Sequence, residues 1–286
     1  MKHRTLSVSA ALYDGYPLER MLESLARLGV THVEPTYVAG YTERFDEHAF
    51  DEDKAAEYEA ALHRHGIRCH AMSAHMDLSR PDAVEAFKRR MDFAHHLGAR
   101  VINTFTAKRR RAKQFYANVE QLAHHAEALG MWIGLENAGD GADDLLNVAA
   151  DAPQMLSRIG STRVGLNYDV GNTVSHRPEI DAAQDALQAL PCCVHMHLKD
   201  VRGSADGWFF TSLGQGEVGL GALLRAVAGT DIPVSIDIPM RLHRRPDAKP
   251  GRARYRVPLA DIETTLQASL RYVRQRLGAS RTAHTA

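Results

Sequence analysis

The feature that most constrains the fold is a recurring unit: a helical segment, a glycine, and then a short apolar run. The unit is recognisable around Gly29, Gly66, Gly98 and Gly130. A glycine just past a helix is typical of its end, and a short apolar run between such ends is typical of a buried parallel strand. Eight strand-like runs occur, at 4–10, 31–36, 67–72, 100–105, 132–136, 163–169, 192–198 and 233–237.

The segments between these runs carry a helical period. In 17–29, Leu18, Met21, Leu22 and Leu25 repeat at the spacing that places them on one face of a helix. The spacing predicts four clear helices, at 17–29, 81–98, 115–130 and 259–278.

Strands that alternate with helices predict a parallel sheet with right-handed crossovers. Eight such units in 286 residues match an α/β chain folded as a single (β/α)8 TIM barrel. A doubly wound open sheet is the alternative, but it favours a glycine-rich turn after its first strand, and 12–17 reads LYDGYP. We predict one barrel over 1–278 and a disordered tail at 279–286.

Composition excludes several classes of protein. Lysine plus arginine and aspartate plus glutamate number 35 each, whereas a nucleic-acid-binding protein is normally basic. No apolar run approaches the roughly 18 residues of a membrane span. The start of the chain reaches Asp14 too soon for a signal peptide, and three cysteines without metal spacing are typical of reduced thiols. We therefore expect a cytoplasmic protein with no nucleic-acid or membrane partner.

Side chains that can bind a metal end the last four strand-like runs: Glu136, Asp169, His197 and Asp237. In a barrel the carboxyl ends of the strands meet at one mouth. Three carboxylates and an imidazole placed together are costly unless a cation compensates them. Oxygen and nitrogen ligands without a thiolate suit Mn²⁺, Mg²⁺ or Co²⁺. We expect one divalent ion held by these four residues.

The stretch HMHLKD places His195, His197 and Lys199 on one face of a strand. His195 is two positions deeper than His197, so we interpret it as a packed histidine. Lys199 could polarise a substrate oxygen, or it could pair with Asp200 or Glu217.

Three further residues are predicted to lie at the mouth and contact substrate. Glu34 ends the second run, with a buried ion pair as its alternative role, and His75 follows the third run, with a loop histidine as its alternative. Asn172, three residues after Asp169, could contact substrate or orient a metal ligand.

Two basic stretches, 107–113 and 240–256, follow the fourth and eighth runs. Positive charge at the mouth favours an anionic substrate, and arginine suits a carboxylate or phosphate. Arg241, the arginine nearest to Asp237 in sequence, is the first candidate for this contact. The alternative is that these stretches are solvated or reach a partner subunit.

Four motifs resemble one family: LEN at 135–137, YDVGN at 168–172, HLKD at 197–200 and LGQGEVG at 213–219. Over about 5–277 the chain resembles the xylose isomerase-like TIM barrels, the sugar phosphate isomerase/epimerase group. The resemblance implies a metal site whose ligands are Glu136, Asp169, His197 and Asp237.

The chain departs from the family pattern at three positions. Asp237 stands where the family usually has glutamate. Asn172 and Gly203 stand where ketose 3-epimerases have a substrate-contacting histidine and an arginine. These departures argue against a simple ketose 3-epimerase and leave the metal site unaffected.

Two main hypotheses for the function follow. The first is a metal-dependent isomerase or epimerase of a sugar or sugar derivative, with Glu136 and Asp237 moving protons on either face of a metal-bound enediolate. The second is a lyase on a related oxo sugar acid: a decarboxylase of a 3-oxo sugar acid such as 3-oxo-isoapionate, or an inosose-type dehydratase.

Two remoter hypotheses complete the set. An AP endonuclease-like phosphodiesterase would need more strand-end histidines than this chain has, and a non-catalytic partner subunit would not need an intact ligand set. The expected partners are a small carbohydrate or sugar-acid substrate and further copies of the chain, as a dimer or tetramer.

Overall fold

The structure, a computed structural model, describes residues 4–38 and 47–279. The strands of these residues are β1 Leu6–Ser9, β2 His32–Glu34, β3 Thr36–Val38, β4 Arg68–Cys69, β5 Ala71–His75, β6 Val101–Phe105, β7 Trp132–Glu136, β8 Val164–Asp169, β9 Cys193–Leu198, β10 Asp200–Ser204, β11 Gly207–Thr211, β12 Val234–Ile236, β13 Leu242–Arg244 and β14 Pro250–Arg252. The helices are α1 Leu18–Arg27, α2 Glu52–Arg64, α3 Ala83–His96, α4 Ala112–Leu129, α5 Ala152–Ile159, α6 Val170–His176, α7 Ala182–Ala189, α8 Gly221–Ala228 and α9 Leu259–Ala279.

Ten strands form one parallel sheet that curls into a barrel, in the order β3-β5-β6-β7-β8-β9-β12-β1-β2-β4. Two barrel positions are interrupted: Pro35 separates β2 from β3, and His70 separates β4 from β5. Because β2 pairs with β4 and β3 pairs with β5, the two ends of this order meet. The sheet thus has eight barrel positions, which confirms the predicted α/β barrel.

Each of the eight predicted strand-like runs contains or overlaps a strand of the barrel. The four predicted helices are present as α1, α3, α4 and α9. The helices bury one face against the sheet, as α1 does with Met21, Leu22 and Leu25. The predicted disordered tail lies outside the described residues except for Ala279, which ends α9.

The second basic stretch folds in a way that its sequence did not indicate. β10, β11, β13 and β14 form a separate antiparallel sheet, and the stretch 240–256 contributes β13 and β14 to it. This small sheet follows the barrel strands β9 and β12, so it stands beside the mouth where the strand-end side chains meet.

The interior of the barrel just below the mouth is polar. Asn103, Asn167, His195 and Ser235 are all fully buried there. Gly134 makes room for this layer, because a Cβ atom at its position would lie 2.3 Å from Asn103 Oδ1. The polar layer is therefore a support under the strand ends.

None of the helices within the described residues has the length and apolar character needed to span a membrane. Cys69, Cys192 and Cys193 are all free thiols.

Candidate metal and substrate site

The four strand-end residues meet at one point. His197 Nδ1 lies 3.3 Å from Glu136 Oε2, 3.6 Å from Asp169 Oδ2 and 3.8 Å from Asp237 Oδ2. Ligands bonded at about 2.1 Å to one ion stand roughly 3.0–3.4 Å from one another. Glu136, Asp169 and His197 stand close enough together to share one divalent ion, whereas Asp237 lies near His197 Nδ1 but outside this close group.

Register and local structure place three of the candidate ligands. Asp169 and His197 are paired residues of β8 and β9, and the Asp237 amide donates to the Leu198 carbonyl at 3.0 Å. Asp169 also caps α6, because its Oδ1 accepts from the amides of Gly171 and Asn172. Its other oxygen, Oδ2, is left facing the site.

A buried ammonium lies beside this group. Lys199 Nζ is 2.5 Å from Asp169 Oδ2 and 2.7 Å from Asp237 Oδ2. Gly171 allows this approach, because a Cβ atom there would lie 2.5 Å from Lys199 Cγ. The lysine therefore makes neither of the alternative pairs predicted from the sequence. Asp200 instead accepts from the amides of the LGQGEVG loop, at Gly214, Gly216 and Val218.

The pKa values of the buried lysine and histidine show that the surrounding carboxylates favour positive charge in the site. Burial disfavours a charged Lys199, but Asp169 and Asp237 outweigh it and raise its pKa. Burial likewise opposes a charged His197, and Glu34 and Glu136 still raise its pKa well above the usual value. Burial raises the pKa of Glu136 to about 8, against the lowering effect of His197. A divalent cation would satisfy the same demand.

Asparagines hold Glu136 from two sides. Asn172 Nδ2 donates to Glu136 Oε1 at 3.1 Å and to the Asn137 carbonyl at 2.9 Å. Asn167 Nδ2 donates to Glu136 Oε2 at 2.6 Å. Of the two roles predicted for Asn172, the structure shows orientation of a candidate ligand, and the residue also lines the adjoining cavity.

His75 lies beside Glu136, with 3.6 Å between His75 Nε2 and Glu136 Oε2. Its ring stacks on Phe105 with the ring centres 4.2 Å apart. Burial lowers the pKa of His75 to about 3, so the ring is neutral. Its Nδ1 atom has no hydrogen-bond partner within the described residues. It is thus a buried neutral imidazole at the cavity with one nitrogen still to be satisfied.

A cavity of about 290 Å³ adjoins the site, a volume at the small end of ligand pockets. Its inner end is lined by His75, Glu136, His197, Lys199 and Asp237. Apolar side chains, among them Phe105, Phe210 and Leu242, form part of its wall. The remaining lining includes charged residues of the loops and of β13: Asp77, Lys108, Asp140, Asp144 and Arg244.

Comparison with known proteins agrees with this architecture. The family model described as "Xylose isomerase-like TIM barrel" matches residues 22–259. The chain belongs to the xylose isomerase-like TIM barrel family. Among curated proteins, none matches it significantly.

Solved structures of the xylose isomerase-like barrels superpose along almost the whole chain. An L-ribulose 3-epimerase aligns with a TM-score of 0.71 at 16% identity, covering 99% of this chain and 97% of its own. A xylose isomerase-like TIM barrel protein from Mycobacterium smegmatis in complex with magnesium gives 0.73 at 18%, covering 97% of each chain. A D-psicose 3-epimerase with D-tagatose, from Clostridium cellulolyticum H10, gives 0.72 at 16%, covering 96% of this chain and 99% of its own. At such identities the likeness shows the shared fold.

Glu34 was expected to contact substrate at the mouth of this xylose isomerase-like barrel, but it lies elsewhere. It is fully buried and does not line the cavity. Its Oε1 atom accepts from Ser73 Oγ at 2.5 Å and Asn103 Nδ2 at 2.9 Å, and it lies 3.0 Å from His197 Nε2. The predicted substrate contact does not agree with this position, because the His197 ring stands between Glu34 and the other three strand-end ligands.

His195 is a packed histidine, as interpreted from the sequence. Its Nδ1 lies 2.8 Å from Asn167 Oδ1, and its Nε2 lies 3.1 Å from Ser235 Oγ. Glu34, His195 and His197 also stand close enough together to suggest a metal site. Because both nitrogens of His195 already have partners, this second group is better explained as a hydrogen-bonded support.

Most of the basic charge at the mouth is balanced within the protein. Arg241 is buried outside the cavity, with its Nη1 3.6 Å from Asp14 Oδ2, and Arg252 Nη2 lies 2.8 Å from Asp14 Oδ1. Lys108 Nζ is 3.1 Å from both Asp140 and Asp144. The position of Arg241 therefore does not support the predicted substrate contact.

Arg244, from the same stretch, lines the cavity instead. Its Nη2 donates to the Ala138 carbonyl at 2.7 Å, and within the described chain no carboxylate forms an ion pair with it. The sequence carried no signal that separated Arg244 from its neighbours, and none that placed Asp140 and Asp144 at the cavity, because loop conformation decides both.

Proposed function

We propose that this chain is a divalent-metal-dependent isomerase or epimerase of a small sugar or sugar derivative. The observation that carries the proposal is that carboxylate oxygens of Glu136, Asp169 and Asp237 lie within 3.8 Å of His197 Nδ1, beside a small cavity. The epimerases among the similar structures share the fold and support the class of substrate. Mn²⁺, Mg²⁺ and Co²⁺ are the ions that this set of donors suits.

The four strand-end residues would hold the ion. When bound, it would supply a Lewis acid that polarises a carbonyl and makes the neighbouring C–H more acidic. Glu136 and Asp237 come from barrel strands separated by β8 and β9, so their carboxylates approach a substrate from different directions. We assign the removal of the carbon-bound proton to Glu136, whose carboxylate is held by two asparagines. Asp237 would deliver or accept a proton on the other side.

Two further groups are placed to contact the oxygens of a substrate. Lys199 lines the cavity and can donate to a carbonyl or hydroxyl oxygen once it turns from the carboxylates. Neutral His75 can donate or accept through the nitrogen that has no partner. Both are hydrogen-bonding groups in a mostly buried setting, where such contacts fix orientation.

Arg244 would meet an anionic group of the substrate. It is the lining cation without a carboxylate partner in the described part of the chain, whereas Lys108 is shared between Asp140 and Asp144. We therefore propose an anionic sugar derivative whose reacting carbons lie at the inner end of the cavity and whose charge lies toward Arg244.

The proposal is tested by incubating metal-loaded protein with a panel of oxo sugars and sugar acids in deuterated water. Isomerisation or epimerisation places solvent deuterium on carbon in recovered substrate and product, with no gas released. The same incubation after chelation should show no exchange. Turnover without carbon-bound deuterium, or full activity in protein free of divalent ions by elemental analysis, would contradict the proposal.

A lyase of the same fold is the second candidate. Gly203 lies in β10 and does not line the cavity. The residue that stands where ketose 3-epimerases have an arginine is thus a glycine outside the cavity, and it offers a substrate no side-chain contact. A decarboxylase of a 3-oxo sugar acid or an inosose-type dehydratase would use the same cavity and ligands. Release of CO₂ with one solvent deuteron at the vacated carbon, or loss of water from the substrate, would select this candidate.

A further inference from the structure

We propose that Glu34 is a positioning residue that holds the His197 ring so that its Nδ1 atom faces the metal. This inference rests on the metal site of the proposed function. The two nitrogens of His197 face different carboxylates: Nε2 lies 3.0 Å from Glu34 Oε1, while Nδ1 lies 3.3–3.8 Å from the three strand-end carboxylates.

The role of Glu34 depends on which nitrogen of the His197 ring carries the proton. A neutral imidazole has one N–H, and the nitrogen that binds a metal must offer its lone pair. An ionised carboxylate can only accept a hydrogen bond, so Glu34 selects the form of His197 with its proton on Nε2. The Glu34 oxygen that faces His197 Nε2 also accepts from two other donors, Ser73 Oγ and Asn103 Nδ2, so its geometry is that of an acceptor. The bare nitrogen is then Nδ1, on the side of the candidate ligands.

Glu34 is itself held in place by neighbouring strands. The oxygen that faces His197 also accepts from Ser73 Oγ at 2.5 Å, on β5, and from Asn103 Nδ2 at 2.9 Å, on β6. The rings of His195 and His197 make a T-shaped contact, with ring centres 5.5 Å apart and planes at 85°. Side chains from four barrel positions thus restrict one candidate ligand. Partners of this kind typically contribute 10- to 100-fold to metal affinity.

The test compares metal binding by the wild type, Glu34→Gln and Glu34→Ala, each stripped of metal and titrated with Co²⁺ and with Mn²⁺. Glu34→Ala removes the acceptor, and we expect Kd to rise about 10- to 100-fold. Glu34→Gln keeps an oxygen that can accept from His197 Nε2 but loses the charge, so we expect a smaller rise. We also expect the visible absorption of the cobalt-loaded Ala variant to differ from that of the wild type, because the imidazole is no longer oriented.

The matched control is Asp185→Asn, which alters a carboxylate that accepts from the Ala149 amide and from the Tyr168 hydroxyl, away from the site. It can lower thermal stability but should leave both Kd values and the cobalt spectrum unchanged. If folded Glu34→Gln and Glu34→Ala match the wild type in Kd and in spectrum, Glu34 has no positioning role. If the wild type itself binds neither ion, the proposed function fails, and the role of Glu34 fails with it.

Discussion

Lys199 Nζ lies 2.5 Å from Asp169 Oδ2, so a buried ammonium stands against a carboxylate that is also a candidate metal ligand. The same ammonium lies 2.7 Å from Asp237 Oδ2. A lysine in this position compensates two buried carboxylates and at the same time competes with any cation that binds them. Its two effects can be separated by experiment.

We expect Lys199→Met to bind Mn²⁺ or Co²⁺ more tightly than the wild type, because no ammonium has to be displaced. Without metal the variant should be less stable, since Asp169 and Asp237 lose their common partner, and its turnover should fall because the cavity loses a donor. Isothermal titration and thermal melts of metal-stripped protein measure the first two effects. Lys113→Met, at an exposed position of α4, is the matched control. Weaker metal binding by Lys199→Met would mean that the lysine supports the site instead of competing for it.

Removal of the metal should destabilise the folded protein. A ligand present at 100 times its Kd stabilises the native state by about 2.7 kcal/mol. We expect the Tm to fall on chelation and to recover when Mn²⁺, Mg²⁺ or Co²⁺ is restored. Asp169→Ala and His197→Ala should each abolish the recovery, because each removes a candidate ligand. A wild-type Tm that does not respond to any of these ions would argue against a metal site here.

Arg244 and Arg241 should behave differently when each is replaced by alanine. A charge-assisted hydrogen bond contributes about 1.5–3 kcal/mol, so Arg244→Ala should raise KM for an anionic substrate about 10- to 100-fold with little effect on Tm. Arg241→Ala should lower Tm, because Arg241 is buried beside Asp14. Kinetics and melts of both variants check this contrast. If KM rose in Arg241→Ala and not in Arg244→Ala, Arg241 would be the residue that contacts the substrate.

The close approach of Gly171 to Lys199 predicts a cost for any side chain at this position. A Cβ atom there would lie 2.5–2.7 Å from three carbon atoms of Lys199. Overpacking of this kind costs about 1–3 kcal/mol, so Gly171→Ala should lower the free energy of unfolding by that amount and displace Lys199. Gly221→Ala, the first residue of α8, meets no atom closer than 3.7 Å and should be neutral or stabilising. Urea unfolding of both variants measures the difference, and equal stabilities would show that Lys199 moves aside freely.

The barrel and its candidate ligands could be read from the sequence because both depend on local and repetitive signals. Apolar runs between glycine-terminated helices specify strands, and parallel strands with helical crossovers must bring their carboxyl ends together. A residue at the end of a strand, such as Glu136 or Asp169, therefore has a position in space that follows from its position in the chain. That position can be predicted without knowing the conformation of any loop.

Only the tertiary structure decided which partners the remaining charged residues would take. Glu34 was expected at the mouth but lies beneath His197, 163 positions away in sequence, because the barrel turns both side chains inward. Arg252 pairs with Asp14, 238 positions away, while Arg244 faces the cavity, because the hairpin of β13 and β14 sets their directions. Ion pairs and hydrogen bonds act over a few ångströms. Which of several similar residues form a pair therefore depends on the packed geometry. The periodicity of the sequence and the spacing of its motifs do not contain that geometry.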